Sequence, residues 1–129
     1  MEITTSQANG RVPVTIFHLQ GDLMDEEPLH KLAAEAVANG SQYILLDLNK
    51  VPYISSAGVR AIQFVFQTLQ TNGHVDNEAM KRGIIDGTYR SPYLKLLNPT
   101  KNAAKAIGVA GYDMFIEVHH DLRTAVNSF

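Results

Sequence analysis

"YILLDLNKVPYISSAGVRAIQFVFQTL", residues 43 to 69, changes its hydrophobic period part-way, and that change decides the fold. Residues 43 to 48, YILLDL, are too short and too continuously apolar for a surface helix. Such a run reads as a buried central strand of the kind found in parallel sheets. Further on, Gly58, Val59, Ile62, Val65, Phe66 and Leu69 share one angular sector at helical spacing. This predicts an amphipathic helix with that sector inward and Asn72-Gly73 as its end. Arg60, Gln63, Phe64 and Gln67 fall on the outward side, where Phe64 is the odd residue. Between strand and helix stand Ser55, Ser56, Ala57 and Gly58. Either serine can cap the helix by accepting a hydrogen bond from an exposed amide, worth about 1 kcal/mol. The small Ala57 and Gly58 let the helix approach the sheet closely and leave a hydroxyl unobstructed.

Upstream, residues 12 to 21 alternate Val12, Val14, Ile16 with Thr15, Phe17, Leu19 and read as a strand ended by Gly21. Asn9-Gly10 separates it from residues 2 to 7, which predicts an antiparallel hairpin. Leu29, Leu32, Ala33, Ala36 and Val37 then recur at helical spacing behind an acidic front, with Asn39-Gly40 closing the helix. Downstream, residues 74 to 92 are polar, carry Gly83 and Asp86-Gly87, and show no period; they read as an insertion or long loop. YLKLLN (93 to 98) resumes strand character, and Thr100 caps a helix holding Ala103, Ala104, Ile107 and Val109, ended by Gly111. MFIEV (114 to 118) reads as the last strand, and Asp121 caps a closing helix with Leu122, Ala125 and Val126. The expected fold is α/β, a mixed sheet of about five strands packed against about four helices, in a single domain spanning residues 1 to 129.

The 129 residues, 45% of them hydrophobic, suffice for one core but not two. The formal charge of −2 comes from 11 basic and 13 acidic residues scattered without long runs, which argues against nucleic acid as a partner. The chain has no apolar run of about 18 residues, and its first ten residues are polar, so a cytoplasmic protein without membrane insertion is expected. The absence of cysteine excludes disulfides, thiol nucleophiles and thiolate metal sites. His119 and His120 are adjacent and point apart on a strand, with no ligand partner at helical spacing, so no metal is expected. No phosphate-binding glycine motif is present, and any Ser-His-Asp triad would be assembled by choice. The sequence therefore assigns no cofactor and no catalytic residue, and reads as a non-enzyme.

Residues 43 to 69 closely resemble the central strand, loop and helix of STAS domains, most of all the stand-alone anti-sigma-factor antagonists. LQGDLM (19 to 24) resembles the family strand that ends in Gly-Glu-Leu-Asp, with Asp22 where glutamate is usual. Residues 94 to 129 resemble the remainder, so the likeness covers nearly the whole chain outside 74 to 92. In the family the loop reads Asp-Ser, then Ser or Thr, then Gly, and its first serine is phosphorylated by a partner kinase. Aligned on Gly58, that serine is Ser56, with Ser55 the alternative; Ser55 stands in the aspartate position and Ala57 replaces the second hydroxyl. Serine at 55 keeps a short capping oxygen and removes a negative charge.

The resemblance implies a partner switch. The unmodified protein would bind an anti-sigma factor or related serine kinase of the histidine-kinase-like ATPase type and free that kinase's client. Phosphorylation of Ser56 would end binding, and a metal-dependent serine phosphatase would restore it. Around Ser55, Ser56, Ala57 and Gly58, the candidate partner-binding residues are Arg60, Phe64 and Gln67 on the outward helix face, with Asp22 and Asp25 from the preceding loop. Phe64 has a second reading, as a residue covered by the 74 to 92 segment, and the two aspartates a second one as dipole-matched residues before a helix. Segment 74 to 92, which includes MKRGIIDGTYR (80 to 90), either sets partner choice or is a tolerated excursion. Two rival functions are a scaffold or accessory subunit of a larger signalling or transport complex, and a small-molecule sensor with a ligand site at the strand ends.

Overall fold

Asn9 and Pro13 form the last pair of an antiparallel hairpin between β1 (Glu2–Asn9) and β2 (Pro13–Gln20), so the turn signal at Asn9-Gly10 falls where the chain reverses. This computed structural model describes residues 1 to 72 and 77 to 129. After β2 the elements run α1 (Glu27–Ala38), β3 (Ile44–Lys50), α2 (Ser56–Asn72), α3 (Asn77–Asp86), β4 (Leu94–Leu97), α4 (Lys101–Val109), β5 (Glu117–His119) and α5 (Leu122–Asn127). The five strands lie in sequence order, antiparallel between β1 and β2 and parallel across β2, β3, β4 and β5. The mixed α/β sheet expected from the sequence is therefore present, with YILLDL at its centre.

Period-2 geometry divides the core in two. Phe17 and Leu19, Ile44, Leu46 and Leu48, and Leu94 and Leu96 face the main helical layer, where they pack on buried residues of α1, α2 and α4. Val14, Ile16, Leu45 and Leu97 face the other way, under Ala125 and Val126 of α5. The short α5 is held by its Asp121 cap, whose carboxylate accepts from Thr124 N at 2.9 Å. Beside it the buried Lys95 donates to Glu117 Oε2 (3.1 Å) and to the Ser128 carbonyl (2.8 Å), which satisfies an otherwise costly buried ammonium.

Three expectations need correction. Residues 77 to 86, within the segment read as lacking a period, form α3. Its inward anchors are few: Met80 and Tyr89 pack against the core, and Gln70 of α2, itself buried, donates to both Met80 Sδ and the Tyr89 hydroxyl. Gly83 inside the helix and Asp86-Gly87 at its end are turn signals, and they favour a loop reading of this polar stretch. His74, at the start of that segment, and Gly73, expected to end α2, lie outside the described residues. The last strand begins at Glu117 instead of Met114, because Tyr112–Met114 make a 3-10 turn and Phe115 packs edge-on against Phe66 at 5.0 Å. The turn buries Ile116 and leaves Met114 exposed. Finally, Val109 and Leu122 sit on the outward sides of α4 and α5, Val109 being 82% exposed.

Candidate functional site

The loop from β3 into α2 is fastened to the loop after β2. Leu23 N donates to the Tyr53 carbonyl (2.9 Å), and Ser55 N donates to the Leu23 carbonyl (3.0 Å). Gly58 is required where these loops meet: a Cβ there would stand 2.2 Å from the Leu23 carbonyl oxygen and 2.8 Å from Ile54 Cγ2. Only a residue without a side chain permits this approach.

That packing gives the two serines different work. Ser55 precedes the helix and caps it: its Oγ accepts from Gly58 N at 3.2 Å and donates to the Leu23 carbonyl at 3.4 Å. Ser56 is the first residue of α2, is exposed, and its hydroxyl has no hydrogen bond among the described residues. The capping hydroxyl and the free hydroxyl, left undivided by the sequence, are thereby distinguished.

Around Ser56 the surface falls away on two sides. On one, a cleft of about 710 Å³ runs between the start of α2 and α4, lined by Tyr53, Ser55, Ser56, Val59, Arg60 and Lys105 among others. It is bordered by Val109, exposed on α4. On the other, Asp25, Glu26 and Lys31 share a shallower hollow with Ala57 and Arg60. Arg60 bridges the two and pairs with Glu26 through Nε–Oε1 at 2.5 Å. Of the residues singled out in the sequence, Ser55, Ser56, Ala57, Gly58, Arg60 and Asp25 are therefore brought together, while Asp22 is exposed on the fastened loop. Phe64 and Gln67 are not part of this group. They line a separate hollow with Val37 further along α2, and the Phe64 ring stacks on His30 of α1 at 3.8 Å and 25°. A helix neighbour, His30, thus covers part of the Phe64 ring. Sequence reasoning missed Tyr53, Lys105 and Val109; Tyr53 is about half exposed. Apolar residues in loops flanking the serines were the available signal.

On the outer face of the sheet, Ser6, His18 and Asp47 stand in line across β1, β2 and β3. Ser6 Oγ is 2.8 Å from His18 Nε2, and His18 Nδ1 is 2.8 Å from Asp47 Oδ2. Period-2 alternation on neighbouring strands aligns them, although they are far apart in the chain. Among the described residues no group of three or more His, Asp or Glu could hold a metal ion, and no helix is long and apolar enough to cross a membrane.

Comparison with known proteins places the geometry in context. The model of the STAS domain matches residues 5–75. No curated protein sequence matches the chain. Among solved structures, a candidate anti-sigma factor antagonist of Thermotoga maritima superposes with a TM-score of 0.68 at 14% identity, covering 95% of this chain and 90% of that one. The anti-sigma factor antagonist SpoIIAA in its unphosphorylated form superposes with a TM-score of 0.56 at 15% identity, covering 83% and 82%.

Proposed function

The chain belongs to the STAS domain family, and from that premise we propose that its 129 residues form a single domain acting as a cytoplasmic anti-sigma-factor antagonist in a partner switch. The unmodified protein binds an anti-sigma factor or serine kinase of the histidine-kinase-like ATPase type and frees the client. Phosphorylation of Ser56 ends the interaction, and a serine phosphatase reverses it. In this switch the protein acts by binding, as a regulator of transcription, with no catalytic step of its own.

The observation that carries this reading is the exposed, unbonded hydroxyl of Ser56 at the first position of α2, beside a cleft with apolar walls. A kinase needs a reachable hydroxyl, and Ser55 is already committed to the cap. Phosphate would bring about −1.5 to −2 charges to the positive end of a helix, where an anion is stabilised by about 0.3–1 kcal/mol. Buried unpaired in an interface, the same charge costs several kcal/mol. Since 1.4 kcal/mol is about tenfold in affinity, a group that the fold tolerates weakens a partner by orders of magnitude. Tyr53, Val59 and Arg60 supply the apolar and charged contacts, with Asp22 and Asp25 at the border.

The test is binding to the partner kinase with phosphoserine installed at position 56 and with Ser56→Asp. Affinity reduced at least a hundredfold by phosphoserine agrees with the switch. Equal affinity of the phosphorylated and unmodified forms contradicts it.

A further inference from the structure

The outer face of the sheet is only half covered by α5, and its open half carries the line of Ser6, His18 and Asp47. Asp47 is itself oriented, because its Oδ1 accepts the Asn49 amide at 3.1 Å. A carboxylate only accepts hydrogen bonds, so Nδ1 of His18 carries a proton toward Asp47, and in the neutral ring Nε2 is the acceptor that faces the Ser6 hydroxyl. A nucleophile within hydrogen-bond reach of a base that is held by a third group is the arrangement of an activated serine. Beside it lies a pocket of about 230 Å³, lined by Thr4, His18, Gln20, Asp47 and Lys50 among others.

We propose that Ser6 is a nucleophile that accepts acyl groups from activated esters, with His18 as its base and Asp47 as a positioning residue. Ser6 Oγ forms a bond to the acyl carbon while its proton passes to His18 Nε2. The ester C–O bond breaks, and His18 returns the proton to the departing oxygen. Water then cleaves the acyl-serine by the same route. Thr4, Gln20 and Lys50 line the neighbouring pocket together with His18 and Asp47. This site is separate from the Ser56 loop, and its activity does not depend on the partner switch.

The experiment treats the whole protein with a fluorophosphonate probe and, separately, with 4-nitrophenyl acetate. In the first reaction the Ser6 Oγ–P bond forms, fluoride leaves and His18 takes the proton. Peptide mass spectrometry is expected to place one equivalent of label on Ser6, with none on Ser6→Ala. His18→Ala is expected to slow labelling at least tenfold, with added imidazole restoring it, a rescue that a purely structural histidine would not give. Asp47→Asn slows labelling, and Asp47→Glu recovers part of the rate. Absence of label from Ser6 in the folded wild-type protein, or an unchanged rate in His18→Ala, overturns the proposal.

Discussion

Ser55 and Ser56 are neighbours of the same chemistry, and one step of backbone gives one to the fold and the other to solvent. Replacing Ser55 by alanine removes the acceptor for Gly58 N and is expected to cost about 1 kcal/mol. In a domain of this size that lowers the melting midpoint by roughly 4 °C. Ser56→Ala is expected to change stability by less than about 0.5 kcal/mol, as for an exposed residue without partners. Thermal melts of the two variants side by side check the division of labour. Gly58→Ala is the most damaging of the three, because its Cβ would overlap a backbone carbonyl that cannot swing aside like a side-chain tip. A loss of about 1–3 kcal/mol or more is expected, with weakened fastening between the Leu23 and Ser55 loops. Much of this site was legible in the sequence: two hydroxyls and two small residues at a strand-to-helix junction mark a capped helix start. Which serine caps was not legible, since it depends on where the Leu23 carbonyl lies, and that is a long-range fact.

The elements differ in how clearly they announce themselves. β3 and α2 carry continuous runs or full amphipathic stripes, so their type follows from local pattern. α3 and the start of β5 do not, because they are held by a few long-range contacts, Gln70 with Met80 and Phe66 with Phe115. Phe64 shows the same limit: its outward position on α2 is correct, yet His30 of α1 provides its cover. Phe64→Ala is expected to destabilise the protein by about 1–2 kcal/mol, in line with a half-buried ring, and to leave affinity for the partner kinase unchanged. Paired denaturation and binding measurements separate those effects. α5 gives a pH-dependent prediction. The carboxyl of Asp121 is held below the usual carboxylate range by its hydrogen bonds from the Thr124 amide and hydroxyl. A group whose pKa is lowered by folding stabilises above its unfolded value, and that contribution is lost as pH falls through the folded one. Protection of the Thr124 amide, its exchange rate relative to that of an unstructured peptide at the same pH, should therefore fall at acid pH, and Asp121→Asn, which keeps a capping oxygen, should flatten that dependence.

At the scale of the whole molecule, the sheet turns its two faces to different tasks. The helical face buries the main core and presents the β3–α2 loop at its rim, while the opposite face is partly open. At 14% and 15% identity to the solved structures, the likeness carries the fold. The outer-face trio was invisible in the sequence because its members come from three strands whose pairing had to be known first. Phosphoserine at 56 is expected to leave the melting temperature within a few degrees of the unmodified protein, since the charge lies at an exposed helix start, so any loss of binding reflects the interface and not unfolding. The central claim, that Ser56 is the switch, is tested most directly by phosphopeptide mapping of the protein isolated from its own cells across growth and stress conditions, resolving Ser55 from Ser56. The account predicts phosphate on Ser56 whose occupancy changes with condition; full peptide coverage with Ser56 unmodified throughout would contradict it.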